Sequence, residues 1–150
     1  MNIDQNAPLH AQKEIVILAP IERVWEVLTD IERWPEWQPD VATASLDDPL
    51  RAGTGFRWKA KGLAIASTIQ EFDPPRRIGW TGRSTGMGAI HRWTLEPAQN
   101  GTRVTTQESL SGWLTRLLKI SDPRFLEKSL AGSLQVLKAQ VERSLVQETK

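Results

Sequence analysis

Residues 90–109, IHRWTLEPAQNGTRVTTQES, hold two alternating runs on either side of a turn at Pro97 to Gly101, and the way these runs pair decides the architecture. Successive side chains of a strand point to opposite faces. The first run therefore divides into His91, Trp93 and Leu95 against Ile90, Arg92, Thr94 and Glu96; the second divides into Val104, Thr106 and Glu108 against Arg103, Thr105, Gln107 and Ser109. A hairpin register that sets Leu95 beside Val104 also sets Trp93 beside Thr106 and Glu96 beside Arg103, an apolar pair on one face and an ion pair on the other. One step further, the same register brings His91 next to Glu108, two titratable groups on the otherwise apolar face.

The same division applied to residues 76–83 puts Ile78, Trp80 and Gly82 inward and Arg77, Gly79, Thr81 and Arg83 outward. Turn residues at Asp47-Asp48-Pro49, Asp73-Pro74-Pro75 and Ser84 to Gly88 separate further period-two runs. Consecutive antiparallel strands are thus predicted over 41–46, 54–61, 63–72, 76–83, 89–96 and 102–110, with an earlier strand at 11–18. Phe56, Trp58, Leu63, Ile65 and Ile69 are the inward residues of the earlier strands; Arg57, Lys59 and Lys61 point out. Arg83 and Arg92 belong to the outer, solvated face.

Helical signals flank this block. Pro20 suits a first helical turn, and Ile21, Val24, Trp25 and Leu28 form one apolar stripe. Asp30 can cap a second short helix, which Pro35 stops after Trp34 because a residue before proline is pushed out of the helical region. Trp34 then wedges this corner against the end of the sheet as a core residue, while Trp37 lies nearer the mouth. Beyond Gly112, Trp113 to Ile120 reads as a helix, and Ser121-Asp122-Pro123 opens a longer one. Leu126, Leu130, Leu134, Leu137, Val141 and Leu145 keep to one side of it for over five turns.

With 150 residues and no repeat or linker, the chain is expected to be one domain, 1–150. Its net charge of +1 gives no field that selects nucleic acid or anionic membrane. Trp and Arg/Lys fall on opposite faces of the same strands, whereas a base-stacking platform needs them together. There is no cysteine, which removes disulfides and thiolate chemistry and fits a cytoplasmic location. No export signal and no run long enough to span a bilayer is apparent. AGTGF and TGMGA match no phosphate-binding fingerprint and read as turns. Two histidines, of which only His91 faces the interior, make neither a metal site nor a Ser-His-Asp arrangement.

The order and spacing of APIERVWEVLTDIERWPEW (19–37), FDPPRRIGWTGR (72–83), IHRWTLEPAQNGTRVTTQES (90–109) and the leucine-striped C-terminal helix resemble the START-like, or helix-grip, SRPBCC superfamily, in its polyketide cyclase/dehydrase-like branch. The resemblance covers Ala11 to Glu142. It implies an α+β fold of the START/Bet v 1 kind, a curved antiparallel sheet wrapped around a long C-terminal helix with two short helices after the first strand. It further implies a cavity between sheet and helix for a hydrophobic small molecule such as a lipid or polyketide, without a cofactor. An empty apolar void of about 300 Å³ would cost on the order of 7 kcal/mol, so water, a mobile mouth or a guest must offset it.

The residues expected to contact such a ligand are Trp37, Phe56, Trp58, Leu63, Ile65, Ile69, Ile78, Trp80, His91, Trp93, Thr106 and Glu108 from the sheet side, and Leu126, Leu130, Leu134 and Leu137 from the helix. His91 and Glu108 are also the candidate catalytic pair, as base and acid of an aldol or dehydration step. Burial and mutual pairing push their pKa values in opposite directions, and the sequence leaves the outcome open. A binding protein, a cyclase/dehydratase-type enzyme and a protein-binding accessory module are the three functions compatible with this reading.

Overall fold

The alternating runs of residues 41–111 do form consecutive strands. In the computed structural model, which describes residues 1–148, the strands are β1 (Leu9–Ile17), β2 (Val41–Leu46), β3 (Gly55–Ala60), β4 (Leu63–Asp73), β5 (Arg77–Ser84), β6 (Met87–Ala98) and β7 (Gly101–Ser111). They make one antiparallel sheet in the order β1-β7-β6-β5-β4-β3-β2. The β6–β7 register pairs Leu95 with Val104, Glu96 with Arg103, Trp93 with Thr106 and His91 with Glu108. Residues 149–150, included in the single-domain expectation, lie outside the described residues.

Two irregularities shape the sheet. Register shifts at Ala42 in β2 and Gln70 in β4 insert an extra residue, which bends the strand and locally raises its twist. The second one also resets the alternation. Strict parity from Ile69 would carry Glu71 inward, but past the bulge Phe72 faces in against Trp25, at 5.7 Å between ring centroids, and Glu71 meets Arg92 on the outer side at 2.9 Å.

Helix α1 (Ile21–Thr29) follows Pro20 and buries Val24 and Leu28. A single 3₁₀ turn, Ile31–Arg33, and then α2 (Trp34–Trp37) make the corner. Two expectations are corrected here. The Asp30 side chain makes no capping bond; its backbone carbonyl accepts from Arg33 N–H at 3.0 Å instead. Pro35 does not stop a helix, because the 3₁₀ turn has already ended and Pro35 occupies the first turn of α2, where its missing N–H is not needed. Helix α3 (Trp113–Ser121) precedes α4 (Phe125–Glu148), whose Leu126, Leu130, Leu134, Leu137 and Val141 are buried against the sheet.

The interior is where expectation and structure diverge most. Trp34 is in ring contact with Phe56, Trp58 and Trp80 at centroid distances of 5.8, 5.4 and 5.6 Å, and Phe56 meets Trp58 and Trp80 at 6.0 and 5.6 Å. The hollow expected between sheet and helix is thus largely filled by its own aromatic walls. Burying an indole or phenyl ring removes about 150–250 Å² from water, a gross gain of about 4–6 kcal/mol each. The space is worth filling.

Residues 1–8, which carry no strand or helix signal, cross the outer face of the sheet. Ile3 and Ala7 are buried there, and Asp4 N–H donates to Ser109 Oγ at 3.0 Å. The strap lies so close that a Cβ on Gly79 would collide with the Met1 sulfur.

Trp34 joins the helical corner to this ring cluster, and its Nε1–H donates to the Leu28 carbonyl at 2.9 Å. Trp34→Ala is expected to lower the unfolding free energy by about 3–5 kcal/mol in urea titrations. A loss below about 1 kcal/mol would mean that the corner does not anchor the sheet.

Candidate functional site

His91 on β6 and Glu108 on β7 stand opposite each other because the hairpin register puts them there, with His91 Nδ1 3.5 Å from Glu108 Oε2. That distance is at the outer limit of a hydrogen bond. The shorter contact is His91 Nε2 to Thr106 Oγ1, 2.8 Å. The imidazole is sandwiched between indoles: Trp93 stacks on it at 5.3 Å with a 30° interplanar angle, and Trp80 meets it at 5.1 Å.

These surroundings decide the charge. Burial lowers the His91 pKa from its ordinary 6.5 to about 3. Burial likewise raises Glu108 from 4.5 to about 8, opposed by the nearby Lys61 ammonium. The Lys61 field is itself partly cancelled, since its amine pairs with Asp40 at 3.2 Å. Near neutral pH the pair is therefore a protonated carboxylic acid beside a neutral imidazole. With one ring N–H available, His91 Nε2 either donates to Thr106 Oγ1 or accepts from its hydroxyl, according to which ring nitrogen carries the proton.

Two small pockets of about 90 Å³ each, both open to the surface, adjoin Glu108, and His91 lines the second. The first is bounded by Leu63, Ile65, Trp80, Met87 and Leu110, the second by His91, Val41, Ala60, Lys61, Leu130 and Ser133. Trp58 and Glu108 belong to both. Trp58 is held as the partition by its Nε1–H, which donates to Ser67 Oγ at 3.0 Å. Since a water takes about 30 Å³ in the liquid, each pocket accommodates about three.

Not every expected contact residue reaches these pockets. Trp58, Leu63, Ile65, Trp80, His91, Glu108 and Leu130 line them. Phe56, Ile69, Ile78, Trp93, Leu134 and Leu137 are packed into the main core, and Leu126 into a smaller cluster with Leu9 and Leu110. Thr106 is buried behind His91. Trp37 is directed elsewhere, to a surface groove between the short helices and α4 lined by Arg33, Glu36 and Gln140. Trp93 Nε1 is a buried donor without a hydrogen-bond partner, a state that costs about 1–3 kcal/mol.

Sequence reasoning missed several pocket residues. Lys61, expected to point outward, sits in the β3–β4 turn with Gly62, at φ 51° and 80°. This two-residue turn with both φ values positive is the favoured tight hairpin connection, and it folds the Lys61 amine back to 5.3 Å from the Phe125 ring. Ser67, Met87 and Ser133 carried no signal beyond their parity or helical position. A wider concavity, about 710 Å³, lies on the opposite face, between the strap and the β3–β7 surface, and contains no buried titratable pair. Among the described residues no group of three or more His, Cys, Asp or Glu converges as metal ligands would, and no helix is long and apolar enough to cross a membrane.

A curved antiparallel sheet gripping a C-terminal helix, with a polar pair on its inner face, defines the helix-grip class. Solved structures agree: a hypothetical protein from Helicobacter pylori superposes with a TM-score of 0.83 at 22% identity, covering 93% of this chain and 91% of that one. The ZhuI aromatase/cyclase from Streptomyces sp. R1128 superposes at 0.78 with 15% identity, covering 91% and 95%. Residues 8–142 match the family described as polyketide cyclase / dehydrase and lipid transport, and the chain belongs to that family. A putative polyketide cyclase of Streptomyces halstedii is 40% identical over 105 residues, 56% of this chain and 96% of that protein.

The pKa shifts have a consequence for stability. The Glu108 pKa is raised on folding, so its contribution is complete below pH 4.5 and is lost as pH rises through about 8. For His91 the sign is opposite: its contribution is complete above pH 6.5 and is lost as pH falls through about 3. Glu108→Gln should abolish the alkaline loss, on the order of 2–4 kcal/mol, in urea titrations repeated across that range. An unchanged alkaline slope in the variant would mean that the carboxyl is hydrated and ionised in the folded protein.

Proposed function

We propose that the protein binds a small, mostly apolar molecule bearing a carbonyl or hydroxyl oxygen, in the space shared by the two pockets, with Trp58 as a movable partition. The observation that carries this reading is that both pockets are bounded by Trp58 and by Glu108. A carboxylic acid kept neutral in an apolar wall costs free energy unless a partner uses its proton, and a ligand oxygen is such a partner. Leu63, Ile65 and Trp80 supply the apolar side, Lys61 and Asp40 the mouth, and His91 with Thr106 holds the orientation of Glu108. The remaining core residues form the wall behind, and Trp37 has no part in it. The family description, which joins polyketide chemistry with lipid transport, supports the same class of ligand.

Admitting anything larger than a few waters requires Trp58 to swing out. It must give up its bond to Ser67 and its contacts with Trp34 and Phe56, a cost on the order of 1–3 kcal/mol that a ligand's own burial offsets. A cytoplasmic location belongs to this reading, supported by the absence of cysteine.

One feature favours a second, enzymatic reading. A carboxyl protonated up to about pH 8 can deliver a proton to a departing hydroxyl, and the carboxylate so formed can take up the α-proton, while His91, a very weak base in its buried site, positions it. The name of the S. halstedii relative, a putative polyketide cyclase, points the same way.

Titration with 2-naphthol, followed by tryptophan fluorescence, tests the binding reading. Saturable quenching is expected, at least about threefold tighter in Trp58→Ala because the partition is gone, and weaker in Glu108→Gln. Absence of saturable binding in both wild type and Trp58→Ala would reject it. For the enzymatic reading, turnover of a linear aromatic polyketide precursor should fall as pH rises through about 8 and vanish in Glu108→Gln, while naphthol still binds.

A further inference from the structure

Helix α3 is apolar on two sides. Its inner side is accounted for: Thr115 is buried with its hydroxyl donating to the Ser111 carbonyl at 2.8 Å, and Leu118 packs against the cluster formed by Leu9, Leu110, Leu126 and Leu130. The outer side carries Trp113, Leu117 and Ile120, exposed to 61%, 55% and 82%. At about 100° per residue these three fall within about 60° of one another, a single stripe along the helix. Arg116 and Lys119 flank one edge of the stripe. Both are exposed, and neither has an ion-pair partner among the described residues. No acidic residue lies in Trp113–Ser121. The nearest acids down the chain are engaged, Asp122 with Lys128 at 2.8 Å and Glu127 with Arg124 at 3.4 Å.

We propose that this face of α3 docks the protein onto an anionic lipid bilayer. Three arguments select lipid over a protein partner. Tryptophan prefers the boundary between hydrocarbon and headgroups, and here it heads the stripe. An apolar stripe with unpaired bases beside it and no acids is the charge pattern of an interfacial helix, in which Arg and Lys meet anionic headgroups while the apolar side chains enter the acyl boundary. Finally, the stripe offers roughly 400 Å² of apolar surface, from side chains of about 150–250 Å² each, whereas a stable protein interface takes about 800 Å² per partner.

The helix is also held firmly enough to insert as a unit. Leu114 N–H donates to the Gly86 carbonyl at 3.0 Å, and the β5–β6 turn at Gly86 packs so closely on Trp113 that a Cβ there would collide with the indole. Net charge is only +1, so attraction to the bilayer comes from this local cluster and not from the whole chain.

Flotation with unilamellar vesicles tests the proposal. The wild-type chain should partition onto vesicles of equal phosphatidylcholine and phosphatidylglycerol, and onto pure phosphatidylcholine about tenfold less. Ile120→Glu and the double variant Arg116→Glu/Lys119→Glu should each lower partitioning about tenfold, with unchanged thermal unfolding because all three side chains are exposed. No flotation of wild type, or flotation unchanged in both variants, would overturn the proposal. So would a wild-type dimer in light scattering that Ile120→Glu makes monomeric without any vesicle binding, which would assign the stripe to a second copy of the chain.

Discussion

Trp34 in edge and tilted contact with Phe56, Trp58 and Trp80 is the interaction on which the remaining features depend. The indole comes from the short-helix corner, its partners from β3 and β5, so a single side chain ties the closed end of the grip to the middle of the sheet. Filling the space with rings leaves only two small, open pockets, with Trp58 between them. The same packing buries His91, whose ring lies against Trp80 and Trp93. Packing therefore sets the protonation of the polar pair mainly through desolvation, which for Glu108 outweighs the opposing Lys61 charge.

Much of the fold was legible from residues 90–109. Two independent pairings, Leu95 with Val104 and Glu96 with Arg103, demand the same register, and a slip of one residue would violate both. The leucine spacing of α4 was equally unambiguous. The bulge at Gln70 was not, because an extra residue leaves no mark in a polar segment such as TIQE; only the mismatch between Ile69 and Phe72, both inward yet three apart, records it. Pro35 was misread because a proline signals both a break and a helix start, and tertiary packing chooses between them.

The candidate site was legible in part. Parity alone placed His91 beside Glu108, since both lie on strands whose register is over-determined. Free volume is a different kind of quantity. It depends on sheet curvature and on how the interior indoles settle into rotamers, and no local pattern encodes that. Lys61 illustrates a further limit: alternation assigns it outward, but a turn with positive φ takes it off the strand and redirects its side chain. The strap of residues 1–8, short and mixed in polarity, has no period to read.

The place of β1 in the sheet reaches beyond the folded state. It pairs with β7, Leu9 opposite Leu110, and with no other strand. During synthesis β1 emerges before its partner and must wait, with its amides unpaired, until β2 to β6 and then β7 have been made. Such distant closure slows folding and prolongs exposure of a strand edge. Lys13 and Glu14, charged residues in the middle of that strand, fit a segment that must remain unattractive to other nascent chains while it waits.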